Sequence, residues 1–457
     1  MKNQELTDLI ALAVQSTEAD GVEATLVSQS LQELRLANNA VIQSMELETA
    51  TLSIRAIVNG VAAVATTNNM SREGIAIAAK RAGELASVAG KRTGDYPTLS
   101  SADPPAPIQL VSPVCETTLG RSTEEHIESL LPAIQRSSSD GTSLAGHSRS
   151  GLRQVHFLSS TGRQRHHASS LFDTMVIATS DQGTSGHASQ AGTSIQGLDI
   201  GKLGEKSVQD ALLGRNPMSL EPGAYDVILE PEAVTELVEW LVGIGFTSGA
   251  YEDGLSFIRG REGKQITGAD ISIFDDGWCD NGIGIPLPFD SQGEWKQKTH
   301  FLESGIAKGI AHDRQSAARF GCQSTGHATL ADDMPEGSSR PEHVVMGGGN
   351  ATEGELLNRV NRGLWVSRFH YVNGLLEPKR AVMTGLTRDG CFMIENGKRV
   401  AGVKTLRFTD SILEALERCD GISQQLKVVP TWWSEGGAFV APTMLIRGLQ
   451  FTGQSRE

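Results

Sequence analysis

The sequence predicts an α+β protein: an N-terminal antiparallel β-meander with helices, linked to a mostly β C-terminal domain with peripheral helices. Three observations predict it. Glycine is abundant, at 50 of 457 residues, and aromatics make up only 5%, which favours turns and short strands over long helices. Alternating apolar and polar residues recur between Asn and Gly turn residues in the opening block. A proline-rich stretch then separates that block from the rest of the chain.

The first block, 1–100, opens on Leu6, Leu9, Ile10, Ala13 and Val14, whose spacing of three and four predicts a helix. Segments 22–27, 33–36, 41–44 and 51–56 alternate as strands. Asn38-Asn39 and Asn59-Gly60 fall between them: Asn tolerates positive φ, and Asn-Gly is the strongest short hairpin signal. Ser71 is placed to cap a helix running to Ala86. Pro97, Pro104, Pro105, Pro107 and Pro113 then form neither helix nor central strand and mark a linker.

The second block, 113–215, is rich in Ser, Gly and His and weakly periodic, which reads as a central α+β domain with exposed loops. In the third, 217–457, Val227-Ile228-Leu229 is a short strand and Glu230-Pro231-Glu232 opens a helix. Proline suits the first helical position and acids suit the positive end of the helix dipole. Val234, Leu237, Val238, Leu241 and Val242 form the apolar stripe of that helix. Thr352 and Glu355 make a capping box, a further helix is expected over 410–417, and 365–369 and 444–446 read as strands. No internal repeat of fixed period is visible.

Charge and composition exclude several classes. With 40 Lys and Arg against 54 Asp and Glu, the net charge is −14, which repels phosphate backbones; nucleic-acid binding is not expected. No apolar run approaches the ~18 residues of a membrane span, and the N-terminus lacks the apolar core of a signal peptide. The five cysteines are too widely spaced for a CxxC pair, so reduced thiols in the cytoplasm are the expectation.

Autonomous catalytic signatures are missing from the sequence. There is no GxSxG elbow, and no Gly-Lys is followed by Ser or Thr as in a P-loop. Gly347-Gly348-Gly349 lacks dinucleotide-fingerprint spacing, and none of the 11 histidines precedes Glu. His147, His156, His166, His167 and His187 crowd the middle block; solvated loop positions are expected over metal ligands, since no acid or Cys neighbours them in sequence. Residues 274–280 carry three aspartates but read as a polar turn ending a strand. His312-Asp313 reads as a helix start rather than a base with its orienting acid. Alternation would put one of Trp432 and Trp433 in the core.

Four segments carry a resemblance in shared order. They are 33–44, Pro288-Phe289-Asp290-Ser291-Gln292-Gly293, residues 317–327 ending Ser324-Thr325-Gly326-His327, and 384–390 with Ile394-Glu395-Asn396-Gly397. Over nearly the whole chain the sequence resembles the TldD/PmbA family, long labelled modulators of gyrase and regarded as peptide-processing metalloproteases. Members of the TldD kind carry His-Glu-x-x-x-His on a helix plus a distant Cys, which together hold zinc, with the Glu as general base. Here Pro231 and Glu236 stand at the two His positions and only Glu232 remains; the stretch 432–437, where the Cys would fall, has none. A proline cannot ligate, and one Glu does not hold a zinc ion.

The resemblance therefore implies a TldE (PmbA)-like subunit with no cofactor of its own and the zinc on a TldD-like partner. The pair would be a heterodimer that cleaves small or unfolded peptides held as an added strand. Loops around Phe289, Asp290, Arg388 and Asp389 are the expected surfaces near the shared cavity. The alternative is a stand-alone, non-enzymatic peptide-binding protein. A third reading, a self-sufficient hydrolase built on the middle-block histidines, would require zinc in the isolated chain.

Overall fold

The computed structural model describes residues 3–89, 99, 103–107, 113–280, 282–329, 339–430 and 438–454. Its first half is one antiparallel six-stranded sheet with helices on it. Helix α1 (Asn3–Ser16) leads into β1 (Gly21–Ala37), β2 (Ala40–Val58), β3 (Val61–Thr67) and α2 (Arg72–Val88). Leu6, Ile10 and Ala13 of α1 are buried as their spacing requires. The β1–β2 turn puts Asn38 and Asn39 at φ of 50° and 60°, and the β2–β3 turn puts Asn59 and Gly60 at 50° and 72°. Ser71 caps α2 by accepting from the Gly74 amide.

The middle block departs from the loop-rich reading. After α3 (Glu116–Leu119) and α4 (Thr123–Ser139) come β4 (Ser143–Ser159), β5 (Gln164–Thr179) and β6 (Ser185–Gly192), then α5 (Ile200–Leu213). The strands β4 and β5 are 17 and 16 residues long. His147, His156, His166, His167 and His187 all lie on strands, and His156, His167 and His187 are buried. Alternation fails as a guide here because both faces are covered in part, so polar side chains point inward and bond one another. Ser148 Oγ, for example, lies 2.7 Å from Thr174 Oγ1 and 2.8 Å from His126 Nε2.

Sheet order is β3-β2-β1-β4-β5-β6, and β1 pairs with β4 from Glu23↔Ser159 to Leu36↔Gly146. The sheet carries two apolar clusters, one under α1 and α2 and one under α4 and α5, and Leu34 and Leu36 of β1 belong to the second, so the two sequence blocks share one backbone sheet. Apart from the four-residue α3, each half runs helix, three strands, helix. The architecture is duplicated although the sequence shows no repeat.

The second half is a mixed eleven-stranded sheet. In chain order its elements are β7 (Gly223–Leu229), α6 (Pro231–Leu241), α7 (Ser248–Glu252), β8 (Ile273–Asp275), β9 (Thr299–Glu303) and β10 (Ile306–Ala307). They continue with α8 (Arg314–Phe320), β11 (Val344–Met346), α9 (Glu353–Asn358), β12 (Arg362–Glu377), β13 (Val382–Glu395) and β14 (Lys398–Gly402). The chain ends with β15 (Leu406–Ser411), α10 (Ile412–Glu417), β16 (Cys419–Pro430) and β17 (Ala438–Gln454). The strand β17 pairs with both β15 and β7, which closes the ring β7-β12-β13-β15-β17. Helix α6 packs against β12 and β17, and Ala233, Val234, Leu237, Val238 and Leu241 join the main core. The expected caps are present: Thr352 and Glu355 form a capping box, and Asp313 caps α8. No helix among the described residues is long and apolar enough to cross a membrane.

Candidate functional site

A cavity of about 800 Å³ opens between the N-terminal sheet and the C-terminal domain. That size and position suit a ligand site. The N-terminal sheet contributes Leu31, Leu47, His147, Arg149, Asp173, His187 and Ser189, and the C-terminal domain contributes α6 with Arg368, Val429 and Pro430. The helix has two faces. Positions 233, 234, 237, 238 and 241 go to the core, while Glu232, Thr235, Glu236 and Glu239, at i, i+3, i+4 and i+7, line the cavity.

Glu232 is the centre of this wall. Its Oε1 accepts from Lys427 Nζ at 2.6 Å and from Ser189 Oγ at 2.8 Å, and His187 Nδ1 lies 3.6 Å away. Burial alone would favour the neutral acid, but the Lys427 ammonium holds the Glu232 carboxyl below the usual carboxylate range. Burial, reinforced by the Arg368 and Lys427 cations, lowers His187 to about 4 against the pull of Glu232 and Asp389. His187 is therefore neutral near pH 7, and Lys427 carries the compensation. Two residues earlier, at the N-cap of α6, Glu230 Oε1 accepts from Trp365 Nε1 at 2.6 Å and from Lys206 Nζ at 3.1 Å. Lys206 also reaches Asp210 at 2.9 Å, and Arg399 meets Asp210 at 2.7 Å, so α5 is bolted to the C-terminal domain beside α6. Across the cavity, Asp173 sits between His147 at 3.0 Å and Arg149 at 3.1 Å. Burial pushes the Asp173 carboxyl up, but those two partners outweigh it and hold it below its ordinary value.

The expected site residues divide into groups. Pro231, Glu232 and Glu236 begin α6, with Glu232 and Glu236 on the cavity wall and Pro231 at the first helical position. Asp389 is one step behind the wall: its carboxylate lies 3.2 Å from Arg368 Nε and accepts from Ser185 Oγ at 2.7 Å. The Arg388 side chain is 57% exposed, with its Nε 3.7 Å from Asp389 Oδ1, and is not part of the cavity wall. Phe289 and Asp290, each 1% exposed, lie outside the wall. Phe289 packs with Val155, Phe157 and Leu287, and Asp290 accepts from the amides of Gln292, Glu294 and Ala328, each at 2.9 Å. Burial pushes the Asp290 carboxyl up to about 7. Their turn is a clamp between layers: Thr25 Oγ1 donates to the Ser291 carbonyl at 3.0 Å, and Arg163 donates to the Gly293 carbonyl at 3.3 Å.

The Ser324–His327 segment likewise forms a closed pin. His327 Nε2 lies 3.2 Å from Asp275 Oδ1, both residues fully buried, and Asp275 Oδ2 accepts from the amides of Glu342 and His343. The turn after β8 matches the polar-turn reading, with Asp276 Oδ1 accepting from the amides of Trp278 and Cys279. Trp432 and Trp433, and the stretch 432–437 with them, lie outside the described residues.

A zinc ion of the kind the helix motif would bind does not fit these residues. Pro231 offers no lone pair to a metal, and Glu232 Oε1 is already taken by a tethered ammonium, whose charge opposes a cation beside it. Among the described residues no group of three or more His, Cys, Asp or Glu side chains converges to hold a metal. Thr235 and Glu239 were legible from the helical period once Glu232 was singled out. Lys427, His187 and Arg368 were not, because they reach α6 from distant strands.

The PmbA/TldA metallopeptidase C-terminal domain matches residues 222–453, and the PmbA/TldA metallopeptidase domain 1 matches residues 22–86. A protein of Methanothermobacter thermautotrophicus named "Metalloprotease" is 22% identical over 60% of this chain. The "Metalloprotease TldD homolog" of Buchnera aphidicola is 24% identical over 50% of it. The matched stretches span 60% and 47% of the lengths of those relatives. The crystal structure of TldE from Thermococcus kodakarensis shares the fold, with a TM-score of 0.84 at 17% identity, covering 98% of this chain and 100% of that one.

Proposed function

The chain belongs to the PmbA/TldA metallopeptidase family, and on that premise we propose that it is a TldE-like subunit that pairs with a TldD-like, zinc-bearing partner in the cytoplasm. Together the two cleave small or unfolded peptides; this chain holds no zinc and completes the chamber. The observation that carries the reading is the Lys427–Glu232 contact at 2.6 Å. At the helix position where the TldD kind would arrange its metal and base, this chain carries Pro231 and Glu236 and answers the one acid left with a lysine. A carboxylate pinned in that way does not serve as a general base, because its proton affinity is depressed.

What this chain does in the pair is bind and orient. Val429 and Pro430 bring the end of β16 to the cavity wall, where an extended peptide laid beside it is held through its backbone. Arg368, positioned by Asp389, and Arg149, positioned by Asp173, supply charge on the walls facing the peptide. The apolar side chains Leu31, Leu47 and Val429 receive side chains without selecting a sequence.

The test is co-purification with a relative that carries His-Glu-x-x-x-His, at micromolar concentration, with zinc and peptidase activity measured for each chain and for the mixture. A stable complex, with zinc and activity following the partner, is the expected result. One tightly held zinc per chain in protein prepared alone, together with proteolysis, would overturn the reading. Peptide binding with neither partner nor hydrolysis would favour the stand-alone binding protein.

A further inference from the structure

We infer that the cavity face of α6 is a receptor for a primary ammonium group, the free α-amino end or a lysine side chain of a bound peptide, held by Glu232, Thr235 and Glu236. The inference rests on the peptide-binding reading above and deepens it by naming the chemistry of the anchor.

Two buried acceptors point to a missing donor. Glu232 is 8% exposed, and although Oε1 is engaged by Lys427 and Ser189, Oε2 has no hydrogen-bond partner. Thr235, 3% exposed and one turn further along, has no partner for Oγ1. Both residues line the cavity. Buried polar atoms are nearly always paired, so a pair of orphans on one cavity wall calls for a ligand that donates. Glu236, half-buried beside them, adds a third acceptor on the same face.

The chemistry selects the donor. A primary ammonium has three N–H bonds and no acceptor, which matches two carboxylates and a hydroxyl at i, i+3 and i+4. Charge points the same way. Around this face five carboxylates, those of Glu230, Glu232, Glu236, Glu239 and Asp389, stand against three cations, Lys206, Lys427 and Arg368. A carboxylate ligand is repelled here, and a neutral amide satisfies fewer of the acceptors. A point cation is the poorer fit: from Glu232 to Glu239 the acids climb ~10 Å of helix, at about 1.5 Å per residue, and the described residues hold no converging set of metal-binding side chains.

The experiment uses the full chain, alone and mixed with its zinc-bearing relative, and fluorescence anisotropy of three alanine-rich hexapeptides dyed at the C-terminus. One has a free amino end, one is N-acetylated, and one is N-acetylated with a single internal lysine. The free-amine peptide, the lysine peptide or both bind at least tenfold more tightly than the capped peptide, and the arm that does so identifies the source of the ammonium. Glu236→Gln and Thr235→Val each cut that preference severalfold while melting like the parent. Equal binding of all three peptides overturns the inference and leaves the peptide-binding reading standing. Variants that melt like the parent yet keep the full preference overturn the assignment to α6. Failure of all three peptides to bind chain or mixture overturns both.

Discussion

At the scale of single residues, the Lys427–Glu232 contact governs the site. It is a buried carboxylate matched to one ammonium across 195 residues of sequence. Removing one partner leaves the other charge buried and unmatched, so Lys427→Met costs on the order of 3 kcal/mol at neutral pH, read by urea unfolding. Adding Glu232→Gln to that variant recovers a good part of the loss, because both charges are then gone; no recovery in the double-mutant cycle would show that the pair is not the source. The pH dependence has a definite sign. The folded Glu232 carboxyl titrates below its unfolded counterpart, so its contribution is present above the unfolded value of roughly 4.3. It fades as pH falls toward the folded value of about 2. In Lys427→Met the buried carboxyl is driven upward instead, so the gap between parent and variant narrows on acidification.

At the scale of elements, the buried histidines of the middle block set a second acid response. His126 on α4, His156 on β4, His167 on β5 and His187 on β6 are each lowered to about 4, with burial the largest cause in every case. The unfolded chain takes these protons first, at roughly pH 6.5, so stability falls between there and pH 4, by on the order of 1–3 kcal/mol per histidine. Calorimetric melting across that window checks it, and a flat profile would refute it. The turn that carries Phe289 and Asp290 gives a third expectation. Gly293 has φ of +69°, and a methyl group there would lie 2.3 Å from the Phe157 ring. Gly293→Ala therefore costs about 2–4 kcal/mol through backbone strain and overpacking, measurable in the same unfolding assay.

These elements also mark how far the sequence could be read. Ser71, Asn59-Gly60, the Thr352 capping box and the stripe on α6 were legible because each depends on residues within one turn of one another. The strands β4 and β5 were not, because a sheet covered on both faces loses the alternation that identifies a strand. Phe289 and Asp290 stood out as a motif, but the motif serves docking of the two layers. The cavity wall was half legible. The helical period places Thr235 and Glu239 beside Glu232, whereas the partners that tune Glu232 come from β6 and β16 and leave no local trace.

At the scale of the whole molecule, two unlike halves meet in two places among the described residues: the polar contacts of α5 and β6 with the C-terminal domain described above, and a small apolar cluster with a charged seam. Val155 and Phe157 of β4 meet Leu287 and Phe289. Around them Arg163 pairs with Glu294 at 2.7 Å, and Arg314 bridges Glu23 and Glu294. This seam couples the two layers on the side of the Phe289 turn. Hydrogen exchange tests the coupling: amides near Thr25, Phe157 and Gly293 open at a common rate, and Gly293→Ala accelerates them together while the β7–β12 ladder keeps its protection. Independent rates would mean that the layers do not dock as a unit.

The lysine beside Glu232 has one more consequence. A cation carried on the polypeptide cannot be dialysed away, exchanged for a competitor or starved for in the growth medium. The melting temperature of this chain is accordingly expected to be the same with and without EDTA.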